Sequence, residues 1–191
     1  MSDSPRPLRA DARRNRVRVL EVAKAVLARD GTAASMREIA RQAEVGLATV
    51  YRQFPTKEAL FEAIVTEQTR EIAGQAQSLA DDENPGEAFF AFFTYAVTSS
   101  TGQKMLVDAL ADAGVDINAG ELGQANRAML DGAEILLVRA QQAGAVRKDM
   151  GMRELGALVS AACLAAERQH WDEDLRTRVL GIFFDGLSPR T

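Results

Sequence analysis

Cysteine and histidine are nearly missing: the 191-residue chain holds one of each, Cys163 and His170. One cysteine excludes an internal disulfide and a cysteine-based zinc site, and points to a reducing compartment. No run of alternating β-branched residues is present, which removes the signal for a sheet. The longest apolar run, LGALVSAACLAA, falls short of the ~18 to 20 residues that a membrane span needs. The Pro- and Arg-rich start of the chain has no apolar stretch of the signal-peptide kind. These absences lead to the expectation of a cytoplasmic protein with no membrane partner. Catalytic sets are missing as well: there is no Ser-His-Asp arrangement, phosphate-cradling glycine loop or dinucleotide fingerprint. Glu167 and His170 have the Glu-x-x-His spacing of carboxylate-bridged metal centres, yet such a centre needs two of these segments and two further carboxylates. A dimer could supply the second by symmetry; a helix-end histidine beside Trp171 is the simpler account. The chain is expected not to be an enzyme and to take no metal or cofactor.

What charge there is divides unevenly. The first sixty residues hold twelve Lys and Arg against seven Asp and Glu, a balance of +5. The remainder holds eleven against twenty, a balance of −9, and the whole carries −4. A basic first third joined to an acidic remainder suggests that the first part meets a polyanion and the second does not.

Gly, Pro and Asp or Asn clusters punctuate a text with helical periodicity. A first helix is expected from about Ala12 to Arg29, burying Leu20, Ala23, Val26 and Leu27, with Gly31 as its stop. Ser35 followed by Glu38 reads as a capping box that opens a short second helix, with Ile39, Ala40 and Ala43 facing inward. A tight turn and a third short helix follow, to about Gln53. Pro55 stops that helix, and Thr56 can cap a longer one through Lys57, Leu60, Phe61, Ile64 and Val65. Further helices are expected near residues 86–100, 103–112, 120–143, 151–168 and 172–187, with Gly144 closing one of them. The fold class is therefore all-α: a small basic three-helix unit and then a larger acidic helical bundle.

Two short helices joined by a tight turn, the second rich in polar side chains, describe a helix-turn-helix. Val45, Val50 and Phe54 can anchor the second helix, leaving Leu47, Thr49, Tyr51, Arg52 and Gln53 for its other faces. Arg52 is the residue of this helix able to grip guanine with two hydrogen bonds, worth roughly 1–3 kcal/mol of discrimination. The hydroxyls of Thr49 and Tyr51 suit phosphate or sugar. Gly46 and Ala48 let the helix start approach a groove wall closely. In isolation, Tyr51 reads rather as a half-buried core ring and Arg52 as an ordinary solvated charge. Arg6, Arg9, Arg13, Arg14, Arg16 and Arg18 form a basic N-terminal arm, either a solubilising tail or a second phosphate or minor-groove contact.

The segment SMREIARQAEVGLATVYRQFPTKEALF, Ser35 to Phe61, resembles the DNA-binding signature of the tetracycline-repressor (TetR) family. The matching positions are Ser35, Arg37, Ile39, Ala40, Ala43, Val45, Thr49, Tyr51, Phe54, Thr56, Lys57, Glu58 and Leu60. The resemblance implies a DNA-binding domain over residues 1–57 and a helical effector-binding and dimerisation domain over 58–191. It implies a DNA contact set of Ser35, Arg37, Gly46, Leu47, Thr49, Tyr51, Arg52 and Lys57, with Lys57 anchored on phosphate. Three positions depart from the pattern: Glu44 replaces the turn glycine, Gly46 the helix-opening serine, and Ala48 the glycine before Thr49. Glu44 is the awkward one, because a residue with positive φ favours Gly or Asn and a carboxylate repels phosphate. It is expected to face solvent or to pair with Arg41.

In the acidic bundle, EAFFAFFTYAV puts Phe89, Phe90, Phe92, Phe93 and Tyr95 on one helix, so some rings must meet either a neighbouring helix or a cavity. By resemblance, a small-molecule site is expected there, lined by Phe89, Phe92, Phe93, Met105 and Met129. The absence of a charged cluster points to an apolar or aromatic effector. Leu155, Leu158, Val159, Ala162, Cys163 and Ala166 give one later helix a small-residue face. Trp171, Leu175, Val179, Ile182 and Phe183 give the last helix another. These faces are either intramolecular core or a homodimer interface, the latter drawn through Leu155, Val159, Ala162, Leu175, Val179, Ile182 and Phe183. The resulting expectation is a dimeric regulator, most often a repressor, that binds a near-palindromic double-stranded operator and leaves it when an effector binds. An effector-independent or activating regulator is the alternative.

Overall fold

The computed structural model describes residues 6–100 and 102–189, with side chains from residue 11 onward. Among the described residues there are nine α-helices and no strand, so the all-α expectation holds. The helices are α1 (Arg6–Asp30), α2 (Met36–Gln42), α3 (Leu47–Gln53), α4 (Lys57–Leu79), α5 (Pro85–Ser99), α6 (Gln103–Asp112), α7 (Gly120–Gln142), α8 (Met152–Gln169) and α9 (Glu173–Leu187). They form two compact units. The first runs to Val65 and also takes in Met105–Asp116; the second holds Thr66–Lys104 and the chain from Ile117. Among the described residues, no helix is long and apolar enough to cross a membrane.

Helix α1 begins at Arg6, earlier than the expected Ala12. Pro7 lies in its first turn, where the missing N–H costs no hydrogen bond and the fixed φ suits a helix. Of the basic arm, residues 1–5 and the side chains of Arg6 and Arg9 lie outside the described residues. The core of the first unit gathers Val19, Ala23, Val26 and Leu27 of α1 with Ile39 and Ala40 of α2 and Val50 of α3. Phe54, Leu60, Phe61 and Ile64 complete it, together with Leu106 and Leu110 of α6. Each such large side chain stabilises the fold by roughly 1.5–3 kcal/mol when fully buried.

The helix starts use different donors. Thr56 accepts from the Ala59 N–H at 3.1 Å and caps α4 as expected. Asp172 does the same for α9 through Leu175 at 2.8 Å. At α2, however, only half of the expected capping box forms. Ser35 Oγ accepts from the Arg37 N–H at 3.2 Å. The Glu38 carboxylate instead accepts from Arg41 at 2.6 and 2.8 Å and from Gln42 at 2.7 Å. These partners are one turn ahead on the same helix, and their charge-assisted bonds outcompete a bond to a neutral backbone N–H.

Four helices close in one way. In each, the residue after the last turn turns left-handed and two backbone N–H groups reach back to carbonyls of the final turn. Gly114 and Gly144, at φ 76° and 74°, do this after α6 and α7. Glu44 and His170, at φ 53° and 49°, do it after α2 and α8. The αL position normally belongs to glycine because a Cβ there costs roughly 1–2 kcal/mol.

In the second unit, α5 packs against both α7 and α8. The core joins Ile72 and Ala76 of α4, Phe89, Phe92, Phe93 and Val97 of α5, Leu136 and Leu137 of α7, Leu155 and Ala162 of α8, and Leu180 and Leu187 of α9. Helices α4 and α7 approach so closely that a Cβ on Gly132 would lie 2.7 Å from Ala76 Cβ. Arg139 donates to the carbonyls of Ala80 and Asp82, which satisfies the free carbonyl end after α4.

Candidate nucleic-acid interface and effector cavity

The helix-turn-helix is α2, the turn Ala43–Gly46 and α3. Backbone bonds from Glu44 N to Arg41 O at 3.3 Å and from Val45 N to Ala40 O at 3.0 Å fix the turn. Gly46 opens α3 without a side-chain cap, its carbonyl accepting from Thr49 and Val50 at 2.8 and 3.1 Å. Val50 and Phe54 are buried, holding α3 by its inner face. That face sets what remains outside: Tyr51 is 46% exposed, and Arg52, Gly46, Ser35 and Arg37 are exposed, while Leu47, Thr49 and Lys57 are half-buried. Tyr51 is therefore not a core ring.

Electrostatics sharpen this surface. Glu38 is bound to Arg41 and Gln42, and the Arg41 guanidinium above all holds its carboxyl down at about 2. Asp30 is gripped by Arg29 at 2.7 and 2.8 Å, which lowers its pKa in the same way. Two carboxylates of the basic third are thus neutralised locally, whereas neither Arg37 nor Arg52 has a carboxylate partner among the described residues. Glu44 faces solvent; the alternative pairing with Arg41 does not form because Glu38 occupies that guanidinium.

Two expected phosphate contacts have partners inside the unit. The Lys57 ammonium donates to the Thr32 carbonyl and lies 5.7 Å from the Phe61 ring centroid. The Arg16 guanidinium sits 4.7 Å over the ring of Phe54, covering it from water. Arg14 pairs with Asp11, and Arg18 donates to Asn15 at 3.1 Å.

The second unit contains a cavity of about 290 Å³. Phe89, Phe92, Phe93 and Met129 line it, and Met105 does not. Met105 belongs to the first unit, where its Sδ lies beside Gly31. The reason is position on α6: Gln103, at the first turn, lines the cavity, and two residues on the helix faces elsewhere. The aromatic row of α5 divides between the two fates open to it. Phe89, Phe92 and Phe93 line the cavity, while Phe90 packs against Phe184 of α9 at 4.5 Å with the rings tilted by 39°, and Phe93 meets Phe184 edge-on at 5.6 Å. Sequence reasoning missed the polar part of the lining, Thr69, Ser100, Gln103, Asn126 and Ser160, and also Met152. No local spacing marks these residues, which come from four different helices and from the residue that follows α5. None of the side chains lining the cavity is charged.

Of the expected interface residues, Leu155 and Ala162 lie in the core of their own unit and are not available to a partner. Both belong to the buried cluster to which α5 and α8 contribute, while Leu158, Val159 and Cys163 of the same stripe are only half-buried. Val159 also borders the cavity. Leu175, Val179 and Phe183 are half-buried, and Ile182 is 69% exposed. His170 falls after the last turn of α8 in the left-handed conformation, so it does not share a helix face with Glu167. No group of three or more metal-ligating side chains occurs among the described residues.

Residues 19–64 match the family described as bacterial regulatory proteins, tetR family. Residues 84–189 match the transcriptional regulator SbtR-like C-terminal domain. A TetR transcription regulatory protein from Mycobacterium vanbaalenii is 41% identical over 95% of this chain and 99% of its own, with a TM-score of 0.73. A TetR transcriptional regulator from Streptomyces coelicolor is 28% identical over 92% of this chain and 99% of its own, with a TM-score of 0.68. No curated protein matches the chain at a significant level. With a helix-turn-helix followed by a helical C-terminal unit, and with both family matches in that order, the chain belongs to the TetR family of bacterial transcriptional regulators.

Proposed function

We propose that this regulator is a repressor that binds a near-palindromic operator as a homodimer and leaves it when a small molecule enters the cavity of the second unit. The observation that carries the reading is the pairing, in one chain, of an exposed donor-bearing α3 with an uncharged cavity of about 290 Å³. Residues 1–57 bind DNA: Arg52 reads a base, Tyr51, Thr49, Ser35 and Arg37 hold phosphates, and Gly46 and Leu47 approach the groove wall. Lys57 reaches phosphate by exchanging the Thr32 carbonyl for it. Residues 58–191 bind the effector and dimerise, with Ile182, Val179, Phe183, Leu175 and Val159 facing the partner copy. Two-fold symmetry sets the half-sites about one DNA turn apart, roughly 34–36 Å, or a simple offset from it.

Release follows from chain continuity. A ligand in the cavity touches Thr69 of α4 and Gln103 of α6, and both helices also carry residues of the first unit. A shift of α4 would change the separation of the two recognition helices and weaken simultaneous engagement of the half-sites. Such a protein works where its operator is, in the cytoplasm. Selection of bound duplexes from a random pool tests the reading: a near-palindrome should emerge, with one base pair per half-site losing its preference in Arg52→Ala. Recovery of duplexes without a shared sequence would overturn operator recognition.

A further inference from the structure

The cavity of the second unit specifies more than an apolar ligand. Its volume, about 290 Å³, is about twice the ~150 Å³ that admits benzene, which matches two fused rings or a body of that size. Phe89, Phe92 and Phe93 form rigid aromatic walls, and Met129 adapts to the remaining outline. A charged ligand would lose its hydration there with no counter-charge on any side chain lining the cavity.

One polar feature of the wall is held in place. Thr69 of α4 is 1% exposed, and its hydroxyl accepts from Gln103 Nε2 at 3.1 Å. Both residues line the cavity. The bond fixes the amide and uses one of its N–H groups, leaving the other N–H and the carbonyl oxygen for a ligand. Two of the other polar side chains of the lining are engaged elsewhere. Ser100, the residue that follows α5, donates to the Ala96 carbonyl at 2.7 Å. Asn126 is turned onto the Ile117 carbonyl at 3.0 Å, outside the lining. Gln103 thus presents one donor and one acceptor side by side, the complement of a hydroxyl, which both donates and accepts.

We propose that the cavity takes an uncharged two-ring-sized molecule bearing a hydroxyl, and that Gln103, held by Thr69, is the residue that reads that hydroxyl. The proposal rests on the effector reading above and adds the ligand's class to it. Its test is equilibrium dialysis of the full-length protein against naphthol, naphthalene and ionised naphthoate at neutral pH. Naphthol should bind about tenfold more tightly than naphthalene and about a hundredfold more tightly than naphthoate. Gln103→Leu, and independently Thr69→Val, should erase the advantage of naphthol over naphthalene while naphthalene binding stays within about threefold. Naphthoate binding as tightly as naphthol would overturn the uncharged class. An undiminished naphthol advantage in both variants would overturn the role of Gln103 and leave the cavity as the site. The effector reading itself fails separately, if naphthol binding survives filling of the cavity by Ala133→Phe or if none of the three probes binds the wild type.

Discussion

In the first unit, the side chains available to a partner stand on the outside of a filled core; in the second, the available feature is a space that the core leaves open. Tyr51 and Arg52 are exposed because Val50 and Phe54, on the opposite side of the same chain segment, are fully buried. Around the cavity the same kinds of residue, Phe89, Phe92 and Phe93, are also buried, yet they border empty volume. The difference shows two ways for a helical unit to present chemistry. A surface is fixed by the phase of one helix, whereas a cavity is fixed by several helices whose side chains together fall short of filling the space between them.

The largest effect expected from this contrast is on core truncation. Phe54→Ala should destabilise the protein by about 3–5 kcal/mol, because it removes a ring from a filled core. Phe92→Ala should cost less, about 3 kcal/mol, since one side of that ring already faces open volume. Urea denaturation of both variants checks the order; an equal or reversed pair would mean that the cavity is not open in solution. Next comes the DNA surface. Arg52→Ala should cost about 1–3 kcal/mol in operator affinity by duplex titration with no change in the thermal midpoint, because the side chain is exposed and has no carboxylate partner among the described residues. Gly132→Ala belongs to the same range but to the other unit: the close approach to Ala76 should make it cost about 1–3 kcal/mol of stability, read by calorimetry.

Smaller effects test the local geometry. Glu44→Gly should stabilise the protein by about 1 kcal/mol, since it relieves a left-handed non-glycine residue, and should strengthen duplex binding by removing a carboxylate from the turn. Gly144→Ala should destabilise by a similar amount, because it places a Cβ where Glu44→Gly removes a side chain. The smallest effect is that of pH on Glu38. Its folded carboxyl lies at about 2 against an ordinary 4.5, chiefly through Arg41. A lowered carboxylate pKa contributes stability that is fully present above about 4.5 and is lost as pH falls toward 2. The pair is exposed, so the contribution is small, and Glu38→Gln should flatten that part of an acid titration of the thermal midpoint.

The contrast between the units also explains what the sequence revealed. The nine described helices, the helix-turn-helix and the inward faces of α2 and α3 follow from i, i+3 and i+4 spacing and from the caps at Thr56 and Gly144, all of them local signals. Where local signals competed, sequence reasoning went astray. Glu38 had two suitors, the Ser35 backbone N–H and the Arg41 guanidinium, and the charged one won. The first helix was expected from about Ala12 and begins at Arg6, with Pro7 in its first turn. The cavity was legible in Phe89, Phe92, Phe93 and Met129: five Phe and Tyr residues on one helix exceed what a single face can bury, and the family resemblance pointed to a cavity rather than a neighbouring helix. Gln103, Thr69 and Asn126 were illegible because their meaning comes from residues far away in sequence. For the same reason Met105, apolar and close in sequence to Gln103, was assigned to the cavity and lies in the other unit. Leu155 and Ala162 carry the same apolar stripe as an interface would, and only packing shows that both are buried in the core of their own unit.

The central claim is that the basic first sixty residues exist to meet duplex phosphate. Its most direct test is the affinity of the full-length protein for a selected duplex as a function of salt. If Arg37, Lys57 and their symmetry mates neutralise phosphates, log affinity should fall linearly with log salt. Lys57→Ala and Arg37→Ala should each make that slope shallower by about 0.9 for every phosphate the side chain neutralises. An affinity that does not change with salt would contradict the account.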